Sequence, residues 1–133
     1  MKKVTVVSSC FNEVENLEQL WERIKAVFAK HPEYEFELII ADNYSTDGSR
    51  DLLRKMAGKD KRLKVILNSN NFGHIRSPYN AFLQANGDAV VTICSDLQEP
   101  PEMIERFLEE WEKGTKVVCA VKPESKESPL MFM

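Results

Sequence analysis

A chain of 133 residues is long enough for one domain with a real core and hardly for two. With 43% hydrophobic and 29% charged residues, its profile is that of a folded soluble protein rather than a disordered one. A net charge of -3 with no basic block argues against nucleic acid as partner. No segment reaches the ~20 apolar residues of a membrane-spanning helix.

The N-terminal Met1-Lys2-Lys3 precedes an apolar stretch too short for a signal peptide, and Val4-Thr5-Val6-Val7 reads as a first strand. An amphipathic helix is expected from about Glu13 to Lys30, with Leu17, Leu20, Trp21, Ile24, Val27 and Phe28 on one face. His31-Pro32 ends it. Phe36 to Ala41 is a second strand, and Ser45-Thr46-Asp47-Gly48 opens a second helix carrying Leu52, Leu53 and Met56. Leu63 to Leu67 is a third strand, followed by a polar loop over Asn68 to Gly73. A weaker helix covers about Ser77 to Ala85, with Pro78 in its first turn. Ala89 to Ile93 is a fourth strand, Glu102 to Lys113 a helix closed by Gly114, and Lys116 to Val121 a fifth strand.

Alternating strands and helices imply right-handed crossovers and a mostly parallel sheet covered by helices on both faces. Trp21 and Trp111 fall on apolar helix stripes and are assigned to the core. Cys10, Cys94 and Cys119 have neither zinc nor disulfide spacing, and read as small buried residues in a reducing compartment. Residues 1–121 form the domain, whereas 122–133 are a loose, proline-punctuated tail ending on Leu130-Met131-Phe132-Met133. That apolar end reads as a chain cut short, at the start of a further region.

Ligands of open parallel sheets bind outside the carboxyl ends of the strands. Three strand exits are polar: Ser8 to Glu13, Asp42 to Gly48, and Cys94 to Gln98. Singly, each reads as a helix entry. Asn12 with Glu15 suits a capping box, and Ser45 or Thr46 suits the cap of the second helix. Together on one edge they favour a site. Asp96 and Gln98, at i and i+2 in extended backbone, point to one side. A carboxylate and an amide oxygen suit Mg²⁺ or Mn²⁺ if substrate phosphates complete the shell, although a turn-capping aspartate beside a solvated glutamine fits as well. Arg76 lies after a loop on the same edge and suits phosphate or a base edge, while His74 reads as structural. Neither a glycine-rich phosphate loop nor a nucleophile elbow is present.

Five segments in order, Val6 to Leu17, Leu38 to Gly48, Asn70 to His74, Asn86 to Val91 and Ser95 to Glu102, resemble family 2 inverting glycosyltransferases. The resemblance is nearest to polyprenyl-phosphate sugar transferases such as dolichol-phosphate mannose synthases and bactoprenol glucosyltransferases. It implies a Rossmann-like GT-A fold, a nucleoside diphosphate sugar donor (UDP- or GDP-linked), a divalent metal (Mg or Mn) and a polyprenyl-phosphate acceptor. Carried over by position, Ser9, Phe11 and Glu13 surround the nucleotide, Asp42 reads base or ribose, and Ser95 contacts the nucleotide. Asp96 binds the metal with Gln98 beside it. Ser9 stands where the family usually has proline, Asn43 where it has a second aspartate, and Cys94 where many members begin the metal motif with aspartate. Lys122 takes the place of a diphosphate-holding arginine. The resemblance also implies a catalytic base beyond residue 133, transfer weak or absent in this chain alone, and a parent protein at the cytoplasmic face of the membrane. A non-catalytic nucleotide- or partner-binding α/β module is the alternative, and a nucleotidyltransferase is disfavoured by the missing glycine-rich basic loop. Sugar, base, acceptor and oligomeric state are not legible in these residues.

Overall fold

Alternate residues of a strand face opposite ways, and the first strand of this chain is apolar on both sides. A computed structural model describes residues 2–71, 73–94 and 100–115, without the side chains of 74–78 and 94. Its elements run β1 (Lys2–Cys10), α1 (Val14–Lys30), β2 (Tyr34–Asp42), α2 (Ser49–Lys59), β3 (Leu63–Leu67), α3 (Gly73–Gln84), β4 (Ala89–Cys94) and α4 (Met103–Glu112). All strands pair in parallel in the order β3-β2-β1-β4.

Val4, Val6 and Cys10 of β1 join Phe36, Leu38 and Ile40 of β2 and Val91 and Ile93 of β4 on one face. The α1 face packs there with all six residues named from its periodicity, joined by Leu53 and Met56 of α2 and Ile104 and Leu108 of α4. Each of those fully buried aliphatic side chains contributes roughly 1.5–3 kcal/mol through burial. The opposite face is thinner: Val7, Ile39 and Ala41 pack with Ala81 of α3. Trp21 is buried, whereas Trp111 is only partly so and packs on the rim of the first cluster beside Tyr34. Arg23 of α1 grips Glu102 before α4 through Nε and Nη2.

The strands extend beyond their apolar runs because parallel pairing continues into polar residues, up to Cys10 opposite Asp42. Two helix starts differ from the sequence reading. The helix expected to open at Ser45 begins at Ser49, after Gly48 at φ 95°. Residues 73–76, expected as loop, already belong to α3, so Pro78 lies beyond its first turn. Gly114 at φ 97° closes α4 as expected, its N–H donating to the Trp111 carbonyl at 2.9 Å. The fifth strand expected over Lys116 to Val121 and the tail over 122–133 lie outside the described residues.

The amino edge of the sheet is locked by the Gly87-Asp88 pair. Asp88 N–H donates to the Lys3 carbonyl at 2.7 Å, and Lys3 N–H donates to Asp88 Oδ2 at 2.8 Å. A Cβ at Gly87 would sit 2.7 Å from Thr5 Oγ1 and 2.8 Å from Thr5 N, so no larger residue fits without moving β1. This pair, part of the segments that carry the family resemblance, holds the sheet at the edge opposite the polar exits.

Candidate functional site

From β1 the chain steps outward to β2 and β3, then returns to place β4 on the other side of β1. Strand order therefore reverses between β1 and β4, the point outside whose carboxyl ends open parallel sheets bind their ligands. Ser9 pairs with Cys94 and Cys10 with Asp42, which sets the carboxyl ends of β1, β2 and β4 side by side. Ser95, Asp96 and Gln98 follow Cys94 directly but lie outside the described residues, as does the side chain of Arg76 within α3.

The first two exits are zipped together. Asn12, at φ 54°, donates its N–H to Ser45 Oγ at 2.9 Å and accepts the Thr46 N–H on Oδ1 at 2.8 Å. Asp47 Oδ2 accepts the N–H of Val14, the first residue of α1, at 3.1 Å. Its Oδ1 accepts the N–H of Ser49, the first residue of α2, at 3.0 Å, and the Ser49 hydroxyl. One carboxylate thus serves the amino ends of two helices, where the helix dipole favours negative charge. Some desolvation opposes it, but these hydrogen bonds prevail and hold the Asp47 carboxyl below the usual carboxylate range. The capping box of Asn12 with Glu15 and the cap by Ser45 or Thr46 are corrected here: α1 starts after Glu13 and α2 after Gly48, with no side-chain cap at either start. Asn12, Ser45 and Thr46 bond across the loops, 33 and 34 residues apart, instead of to their own helices.

Asp42 is fully buried at the end of β2. Its Oδ2 accepts the Ser45 N–H at 3.0 Å and Arg50 Nη1 at 3.2 Å, while Oδ1 has no hydrogen-bond partner. Arg50 Nη1 also donates to the Asn68 carbonyl at 2.7 Å, tying the β2 exit to the β3 exit. Asn43 extends this lattice through Nδ2 to Asn71 Oδ1 at 2.9 Å and to the Gly73 carbonyl at 3.2 Å. Beneath the loops, burial first and the Asp42 charge second push the Cys10 thiol up to about 11. It is a buried free thiol, as its sequence context implied, and is inert at neutral pH.

Above this lattice stand two exposed aromatic rings, Phe11 (48% exposed) and Tyr44 (49% exposed). Glu13 is half-buried, with Oε2 accepting Asn16 Nδ2 at 2.7 Å. Sequence reasoning named Ser9, Phe11, Glu13 and Asp42 at this edge but missed Tyr44 and Arg50. The φ of 68° at Tyr44 has no signature in a tyrosine, and nothing in the sequence marks Arg50 as the partner of Asp42 and of the Asn68 carbonyl. Among the described residues, no group of three or more His, Cys, Asp or Glu could hold a metal ion.

Among solved structures, a mannosyltransferase from Pyrobaculum calidifontis in complex with GDP-Man and Mn²⁺ overlays with a TM-score of 0.62 at 24% identity, covering 71% of this chain and 28% of that one. S. aureus TarS 1–349 in complex with UDP-GlcNAc also gives 0.62, at 27% identity over 81% of this chain and 31% of its own. The parallel sheet with helices on both faces is thus a GT-A fold, as the resemblance implied. Undecaprenyl-phosphate 4-deoxy-4-formamido-L-arabinose transferases are 41% identical over 120 residues in Proteus mirabilis and 38% identical over 127 in Pseudomonas fluorescens. Those alignments take in 89% and 94% of this chain but 36% and 37% of the relatives, so the chain spans little more than a third of their length. A model of glycosyl transferase family 2 matches residues 5–130, from the first strand to beyond the last described helix. With the sequence match and the fold in agreement, the chain belongs to glycosyl transferase family 2.

Proposed function

We propose that this chain is the donor-binding part of an inverting glycosyltransferase that takes a nucleoside diphosphate sugar, UDP- or GDP-linked, together with a divalent cation. The observation that carries this reading is that the carboxyl ends of β1, β2 and β4 lie side by side where strand order reverses, with the loops after β1 and β2 hydrogen-bonded to each other. Such preorganisation lowers the ordering cost of binding. Ser9, Phe11 and Glu13 line the nucleotide from the first exit. Asp42 Oδ1, a carboxylate oxygen with no protein partner, accepts an N–H or O–H of base or ribose. Because that side chain is sealed, the loop after it must give way slightly for contact. Arg76 meets a phosphate or a base edge, and Ser95 contacts the nucleotide.

The cation falls to Asp96 and Gln98, whose i and i+2 spacing lets a carboxylate and an amide oxygen converge on one ion. Two hard oxygen donors are too few alone and suit Mg²⁺ or Mn²⁺ once diphosphate oxygens join them. When bound, the cation offsets the negative charge that grows on the departing nucleotide. The relatives named for undecaprenyl phosphate support a polyprenyl phosphate as the proposed acceptor, and with such an acceptor the parent protein would work at the cytoplasmic face of a membrane. No described residue is assigned as the base that takes the acceptor proton.

Thermal shift with UDP, GDP, CDP and ADP, each with and without Mn²⁺, tests the proposal. Mn²⁺-dependent stabilisation by UDP or GDP is expected, and Asp96→Ala abolishes it. No shift with any of the four would overturn the proposal in favour of a non-catalytic binding module.

A further inference from the structure

Tyr44 occupies backbone that tyrosine seldom adopts. Its φ of 68° lies in the left-handed region, where glycine fits freely and a bulky side chain is strained. Such outliers persist where surrounding structure imposes them, and they gather at ligand sites. Here the surroundings are explicit: Asp42 fixes the residue after Tyr44 through the Ser45 N–H, and Asn12 grips the Ser45 hydroxyl. The ring held this way is 49% exposed, and the Arg50 guanidinium carbon lies 5.7 Å from its centroid. Arg50 is anchored on Asp42 and the Asn68 carbonyl, so a fixed guanidinium lies over a ring that stays half exposed. Phe11 precedes Asn12 as Tyr44 precedes Ser45, and the Asn12–Ser45 hydrogen bond sets the two aromatic residues on adjoining loops.

A planar, exposed, cation-paired aromatic at the edge of the proposed nucleotide site matches the flat face of a nucleobase, and stacking of that kind tolerates different bases. We propose that Tyr44 contacts the nucleobase of the donor as a second stacking face beside Phe11, and that its strained backbone keeps the ring presented. The inference rests on the nucleotide-sugar reading above.

Three variants separate ring from backbone. Tyr44→Gly and Tyr44→Asn accept a positive φ and remove the ring, whereas Tyr44→Phe keeps it. Titration calorimetry with UDP and GDP in Mn²⁺ is expected to show affinity about tenfold weaker or worse in the first two, and close to the parent in the third. Inorganic pyrophosphate with Mn²⁺, which has no base, should bind all four proteins alike. Parent-like UDP and GDP affinity in both ring-less variants, or equal loss of pyrophosphate, overturns the assignment of Tyr44 and leaves the nucleotide reading standing. Absence of UDP and GDP binding by the parent protein overturns both.

Discussion

Glu37 lies on β2 with 4% of its surface exposed, between Lys3 Nζ at 2.6 Å and Lys64 Nζ at 3.2 Å. Burial pushes its carboxyl upward, but the two ammonium groups more than offset this and hold it below the usual carboxylate range. An acid with a lowered folded pKa stabilises the fold above its ordinary value and loses that contribution as pH falls through the folded pKa. Glu37→Gln is therefore expected to cost on the order of 3 kcal/mol at neutral pH, because Lys3 is left partly buried without its counterion. Melting curves from pH 7 to pH 3 should show parent and variant converging in acid. A constant gap across that range would remove the ion triad as the cause. A charged residue inside a strand of Phe, Leu, Ile and Ala gives no hint of this pairing in sequence, since Lys3 and Lys64 meet it only through the strand order.

At the level of elements, the amino ends of α1 and α2 depend on each other. Each is served by Asp47, and the loops leading into them exchange two further hydrogen bonds through Asn12. Substitutions on the two loops should therefore couple. Asn12→Ala removes the acceptor of the Thr46 N–H and Ser45→Ala the acceptor of the Asn12 N–H. Because both bonds close the same loop contact, a double-mutant cycle in denaturant unfolding is expected to give an interaction free energy of about 0.5 kcal/mol or more. Additive losses would mean that the loops are fixed independently. The six α1 core residues were legible because a helix face repeats every three or four positions whatever surrounds it. The caps were misread because Asn, Ser, Thr and Asp suit a local cap and a cross-loop bond equally well. Only the adjacency of β1 and β2 decides between the two.

For the molecule as a whole, the βα alternation made a mostly parallel sheet readable, since few other folds bury such continuous strands. The strand order and the division of the helices between faces were not readable, because hydrophobic runs alone do not say which strands are neighbours. α1, α2 and α4 load one face with most of the core, and α3 covers the other while leaving Tyr79, Phe82 and Leu83 exposed. β1 is flanked on both sides, by β2 along all nine of its residues and by β4 from Val4 to Ser9, and its start is latched to Asp88. Its amides can exchange with solvent deuterium only when the sheet comes apart around them. Val4 to Ser8 should be the last amides to exchange, at a rate that reports global unfolding, while the five-residue edge strand β3 exchanges sooner. Protection that lasts longer in β3 than in β1 would contradict this. The strand that delivers Ser9 and Phe11 to the carboxyl edge of the sheet is thus also the one expected to open last, so its loop would hang from a support that stays closed through ordinary breathing.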